Sequence, residues 1–93
     1  MIRGFRCRAT RDLFLGRPPK RFPASLLRIA RRKLIALDSA VSLADLRVPP
    51  GNRLEELRGD RAGQHSIRIN AQWRICFTWS EAGAEQVELV DYH

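Results

Sequence analysis

The sequence predicts an α+β fold, with N-terminal helices packed on one face of a small antiparallel sheet. Two observations predict it. The first half reads with helical spacing, and after Asn52 the apolar residues fall at every second position. Between the two rhythms stands "VPPGN" at 48–52, a proline-glycine punctuation that neither a helix nor a strand interior tolerates. With 93 residues and no repeat or low-complexity tract, the expectation is one domain over 1–93.

Each element follows in order. "IRGF" at 2–5 is short and suits an edge strand, and Thr10 is placed to cap a helix over "RDLFL" that Gly16 closes. "RPPKRFP" at 17–23 is a basic loop, because adjacent prolines cannot continue a helix. Residues 24–37, "ASLLRIARRKLIAL", form the clearest helix. Leu26, Ala30, Leu34 and Leu37 make its apolar stripe, widened by Leu27, and Arg28, Arg31 and Arg32 fall mostly opposite. "SLAD" from Ser42 has capping-box spacing and starts a second, short helix. "RLEEL" and "QHSIRI" then read as strands separated by the turn-rich "RGDRAG". "QWRICFTW" puts Trp73, Ile75, Phe77 and Trp79 on one face and Arg74, Cys76 and Thr78 on the other. Asn70-Ala71 is expected to make the tight hairpin before it, since Asn tolerates a left-handed backbone. "EAGA" turns the chain into "EQVELVDYH", whose Val87 and Leu89 share a face.

The charge is the abnormal feature of the composition. Seventeen Lys and Arg against ten Asp and Glu leave +7, and fifteen of the seventeen are Arg. The guanidinium fork matches phosphate where ammonium is a point charge, so a polyanionic partner is expected, nucleic acid ahead of a membrane surface. An Arg-heavy genome would give the same composition. Cys7 and Cys76 are isolated and His65 and His93 lie far from ligand spacing, which argues against a structural zinc and for a reducing, cytoplasmic setting. No apolar run suits a signal peptide or a membrane span.

An antiparallel sheet covered on one side leaves its other face open. Ser66, Arg68 and Arg74 fall on that face of the central hairpin, and Arg53 and Arg58 bracket the strand before it. Like charges on neighbouring strands repel, so an Arg-lined face is an unusual choice for solubility alone and a sensible one if a phosphate backbone lies across it; for any single Arg a solvated strand face is the plainer reading. Asp91, Tyr92 and His93 arrive beside it. Cleaving RNA through its own 2′-hydroxyl needs a base, an acid for the leaving oxygen and cations for the charge on phosphorus. On residues alone a lone terminal His is a weak signal, and a solvated tail is the plainer reading. His65 is expected to be structural, and the adjacent Glu55 and Glu56 point to opposite faces, so only one can serve the open face.

The "LxxLDxA" helix end, the block "PPGNRLEELRGDRAGQHSIRINAQWRICF" and the terminal "DYH" closely resemble the HigB toxins, a branch of the RelE-like superfamily of bacterial toxin–antitoxin systems. The likeness covers nearly the whole chain. It implies a RelE-like microbial-RNase fold and a metal-independent, cofactor-free endoribonuclease that cuts messenger RNA on the ribosome. It also implies a helix-turn-helix, HigA-like antitoxin through which alone operator DNA is bound. By the resemblance, Asp91, Tyr92 and His93 are catalytic and the family's basic positions fall on Arg58 and Arg74; with Arg53 and Arg68 of the open face, these arginines are expected to hold phosphate. Where many HigB proteins carry a second His, this chain has Glu55, which is either the base in its place or a structural residue. The alternative reading is a non-catalytic binder of ribosomal RNA that blocks translation or assembly. A sequence-specific DNA-binding protein is weaker, because no helix-turn-helix spacing surrounds residues 24–37. The basic surface further predicts an acidic or strand-donating partner surface.

Overall fold

The computed structural model describes every residue except Pro18, Arg21, Tyr92 and His93. Helix α1 spans Arg8–Phe14 and α2 spans Leu27–Ser39, the latter entered through a 3₁₀ turn at Ala24–Leu26. Ala30, Leu34 and Leu37 of α2 are wholly buried, as their spacing predicts, and the helix runs two residues past the expected end.

Thr10 is a correction. Cys7, in extended conformation, occupies the cap position, and Thr10 lies inside the first turn of α1, fully buried. Its hydroxyl accepts the Leu89 N–H at 3.0 Å and meets the Cys7 thiol at 3.0 Å, so it docks the helix on the sheet rather than starting it. Gly16 closes the helix as expected, with φ +86 and its N–H on the Leu13 carbonyl at 3.1 Å.

The segment after Ser42 is a 3₁₀ helix, Leu43–Arg47, with the expected capping box between Ser42 and Asp45. The Asp45 carboxylate accepts the N–H groups of Val41 at 2.9 Å and Ser42 at 3.1 Å. Those backbone donors hold its pKa below the ordinary Asp value. Beyond the cis Val48–Pro49 bond and a 3₁₀ turn at Pro50–Asn52, the Asn52 amide is buried and donates to the carbonyls of Leu46 and Val48 at 3.1 and 3.3 Å. Its oxygen accepts from Lys33, so the rhythm-breaking loop is tied to α2.

The sheet contains β1 (Glu55–Glu56), β2 (His65–Arg68), β3 (Trp73–Ser80) and β4 (Gly83–Asp91) in sequence order, all antiparallel. The expected "RLEEL" strand shrinks to two residues. The loop before β3 is also a correction: it covers residues 69–72, and Asn70 is not left-handed. Its side-chain oxygen instead accepts the N–H groups of Gln72 at 2.9 Å and Trp73 at 2.7 Å, turning the chain by side-chain hydrogen bonding. Residues 2–5 form two isolated parallel bridges on the outer edge of β4, Ile2 to Ala84 and Phe5 to Val87, rather than a strand.

A register shift shapes both faces. Cys76 opposes Glu88 whereas Thr78 opposes Glu85, so β4 carries one extra residue, and Gln86 takes a left-handed backbone at φ 51. The bulge resets the alternation. Ala84, Val87 and Leu89 can then all face the helices, packing with Leu13, Leu34, Leu37, Ile67, Ile75 and Phe77.

Candidate functional site

On the open face, successive strand partners make rows. Glu55, Ser66, Cys76 and Glu88 form one row across all four strands, and Arg68, Arg74 and Val90 form the next. Ser66 and Cys76 are fully buried on this face, with Arg74 bonded to the Ser66 hydroxyl and Arg61, Glu88 and Arg74 around Cys76.

Arg74 is the most constrained. Its Nε donates to Ser66 Oγ at 2.7 Å and its Nη2 to the Arg53 carbonyl at 2.8 Å, and Glu55 Oε2 lies 3.6 Å from the same Nη2. Only 11% of its side chain is exposed, against 61% for Glu55. Arg53 turns its carbonyl inward by taking a left-handed conformation at φ 46, while the residue itself is exposed. Arg68 stands directly opposite Arg74, but its Nε donates to the Asn70 carbonyl at 3.1 Å. The like charges are thus anchored in opposite directions, one toward β1 and one toward the hairpin loop, which relieves their repulsion. Arg58 precedes the 3₁₀ turn Gly59–Arg61 and is exposed.

One residue of this face, Arg61, escapes a local reading of the sequence. Arg61 Nη1 donates to Gln64 Oε1 at 3.1 Å and to Glu88 Oε1 at 2.9 Å, and Arg6 reaches the same Glu88 oxygen at 3.9 Å. Glu88 is legible as an outward residue between Val87 and Leu89. Arg61, inside the turn "RGDRAG", carries no periodic signal that points it at β4. Beneath them burial pushes the Cys76 thiol above its ordinary pKa. Glu88 adds to that rise, and Arg61 and Arg74 oppose it.

Asp91 pairs with Trp73, on the parity of Leu89, and its Oδ2 accepts from Gln72 Nε2 at 3.1 Å. It lies at the end of β4 beside the 69–72 loop, while Val90 is the residue opposite Arg74. Tyr92 and His93 lie outside the described residues. His65 sits on the covered face, its ring stacked on Phe77 with centroids 6.3 Å apart. Among the described residues no cluster of three or more His, Cys, Asp or Glu is arranged to hold a metal, and no helix is long and apolar enough to cross a membrane.

The arrangement offers guanidinium groups of fixed direction over a flat strand surface, with one exposed carboxylate among them. It can grip phosphates and place a proton acceptor beside them.

A family model described as the RelE-like toxin HigB of type II toxin–antitoxin systems matches residues 15–93. Toxin HigB-1 of Vibrio cholerae is 47% identical over 62 residues, spanning 67% of this chain and 65% of that protein. The chain therefore covers a little under two thirds of that relative's length. Endoribonuclease HigB of Proteus vulgaris is 32% identical over the full length of both chains. Among solved structures, the YoeB-YefM complex from Staphylococcus aureus contains a chain that superposes with TM-score 0.62 at 18% identity, covering 100% of this chain and 95% of that one. At that identity the likeness speaks for the fold, which is the RelE-like α+β fold.

Proposed function

The chain belongs to the HigB-like family of RelE-like toxins of type II toxin–antitoxin systems, and from that membership we propose that it is a toxin that cleaves messenger RNA on the ribosome. The observation that carries the reading is Arg74, pinned by Ser66 and the Arg53 carbonyl on an open sheet face that Arg68 shares. A guanidinium fixed in this way is pre-organised for the charge that builds on phosphorus, and no reorganisation is needed at the moment of reaction.

The reaction is attack of the 2′-hydroxyl oxygen on the adjacent phosphorus. The bond to the 5′-oxygen breaks, leaving a 2′,3′-cyclic phosphate upstream and a 5′-hydroxyl downstream. Glu55, exposed and beside Arg74, takes the proton from the 2′-hydroxyl. His93 donates a proton to the departing 5′-oxygen, since imidazole exchanges protons near neutral pH. Tyr92 and Asp91 orient the substrate. Arg53, Arg58, Arg68 and Arg74 hold the phosphates, and the chemistry asks for no metal or cofactor. The partner is a helix-turn-helix antitoxin that silences the toxin and carries the pair to operator DNA.

Mapping RNA ends after brief expression in growing cells tests the reading. The expected outcome is new ends inside coding regions for the parent and none for His93→Ala, since one acid–base role contributes roughly 10²–10⁴-fold in rate. Arrested translation with intact messages would replace the enzyme by a binder of ribosomal RNA.

A further inference from the structure

The helical layer carries a groove that the RNA reading leaves unused. It lies between α1 and α2, encloses about 390 Å³, and is lined by Leu13, Leu27, Ile35 and Gly16 with Arg28, Arg31 and Arg32. Leu27, Arg31 and Ile35 follow one another at four-residue spacing, and Arg28 and Arg32 form the row beside them, so two apolar side chains with Arg31 between them run next to a cationic row. Arg31 is fixed: its Nε donates to the Phe14 carbonyl at 3.2 Å, holding the end of α1 against α2. Gly16 keeps that corner low, with nothing nearer to its missing Cβ than the Arg31 guanidinium at 3.9 Å. Ile35 and Leu15 remain 43% and 51% exposed.

We infer that this groove receives an acidic amphipathic helix of the antitoxin; the inference rests on the toxin–antitoxin reading above. Ile35 is flanked by arginines, and among the described residues no carboxylate lines the groove. The complementary surface is one apolar row bordered by Asp and Glu, which an amphipathic helix presents naturally. Phosphate backbones also seek arginine, but they have no use for an apolar floor, and the open sheet face already gathers arginines without one. The groove belongs to the layer on the covered side of the sheet. Its residues can therefore be changed without touching Arg74 or Glu55.

The test uses the full-length toxin and the antitoxin encoded with it. Binding is measured by calorimetry at two salt concentrations, beside cleavage of ribosome-bound message by the toxin alone. Ile35→Glu is expected to weaken antitoxin binding by about 30-fold or more, the loss typical of a central interface residue. The double variant Arg28→Glu/Arg32→Glu should lose affinity most at low salt, and Ile35→Ala, which adds no charge, should lose less. Message cleavage should stay within about twofold in all of them. Antitoxin affinity within threefold of the parent in both charged variants would overturn the inference, as would a fall in message cleavage with antitoxin binding unchanged, which would make the rim an RNA contact. If the parent itself cuts no message, the nuclease reading fails while the affinities still decide the groove.

Discussion

Arg74 owes its role to two neighbours that one guanidinium serves in different directions. One guanidinium reaches the Ser66 hydroxyl through Nε and the Arg53 carbonyl through Nη2. A lysine gathers its donors on one nitrogen and has no second nitrogen to span from the Ser66 hydroxyl to the Arg53 carbonyl. Arg74→Lys is therefore expected to leave the buried Ser66 hydroxyl or the Arg53 carbonyl unpaired. The cost is about 1–3 kcal/mol of stability, read as a lower urea midpoint at unchanged slope. Message cleavage should drop by more than stability does, because the fixed direction toward phosphate is lost as well. Arg74 was legible in the sequence because it alternates with Trp73, Ile75 and Phe77 in an unbroken period-two run. The Arg61–Glu88 pair was not, since it joins residues 27 positions apart. Thr10 misled for a related reason: a hydroxyl that suits a helix cap suits a buried acceptor equally well, and only the position of Leu89 decides between them.

At the scale of elements, the residues that read correctly are those whose periodicity is long. Helix α2 and strand β3 each bury an unbroken stripe, and no tertiary contact has to arbitrate. The short elements depend on partners elsewhere. Residues 2–5 look like a strand but reach β4 at only two bridges, and the approach is so close that Gly83 is required. Gly83 has φ +121, and a Cβ there would collide with the Met1 carbonyl oxygen. Gly83→Ala should therefore push the N-terminal segment off β4. The amides of Arg3 and Arg6, which donate to the Ala84 and Val87 carbonyls at 2.7 and 2.9 Å, should then exchange with solvent deuterium much faster. Amides in the centre of β3 should keep their protection. Unchanged exchange at Arg3 would mean that the segment is held by something other than this contact. The two-residue β1 was over-read because "RLEEL" has strand rhythm, but Arg53 turns left-handed at one end and at the other the Gln64 N–H goes to the Arg61 carbonyl, which shortens the ladder.

For the molecule as a whole, the net charge of +7 divides between two surfaces with different grammar. The open sheet face pins arginines by hydrogen bonds; the helical groove sets them beside apolar side chains. Composition announced the charge but could not say that it would divide, because that depends on which side of the sheet each element lands. If Arg53, Arg58, Arg68 and Arg74 each neutralise a phosphate, binding of a non-cleavable single-stranded RNA should weaken with salt at a log–log slope of roughly −3. Replacing any one of them by Ala should flatten it by about 0.7. We propose that this face and the end of β4 drive attack by the RNA's own 2′-hydroxyl. The most direct measurement is the chemistry of the ends left on a ribosome-bound message, with and without a single 2′-deoxy substitution at the cut nucleotide. Attack by the 2′-hydroxyl predicts a 2′,3′-cyclic phosphate and a 5′-hydroxyl, and no cleavage at the deoxy position. A 5′-phosphate with a free 3′-hydroxyl, or undiminished cutting of the deoxy substrate, would contradict it.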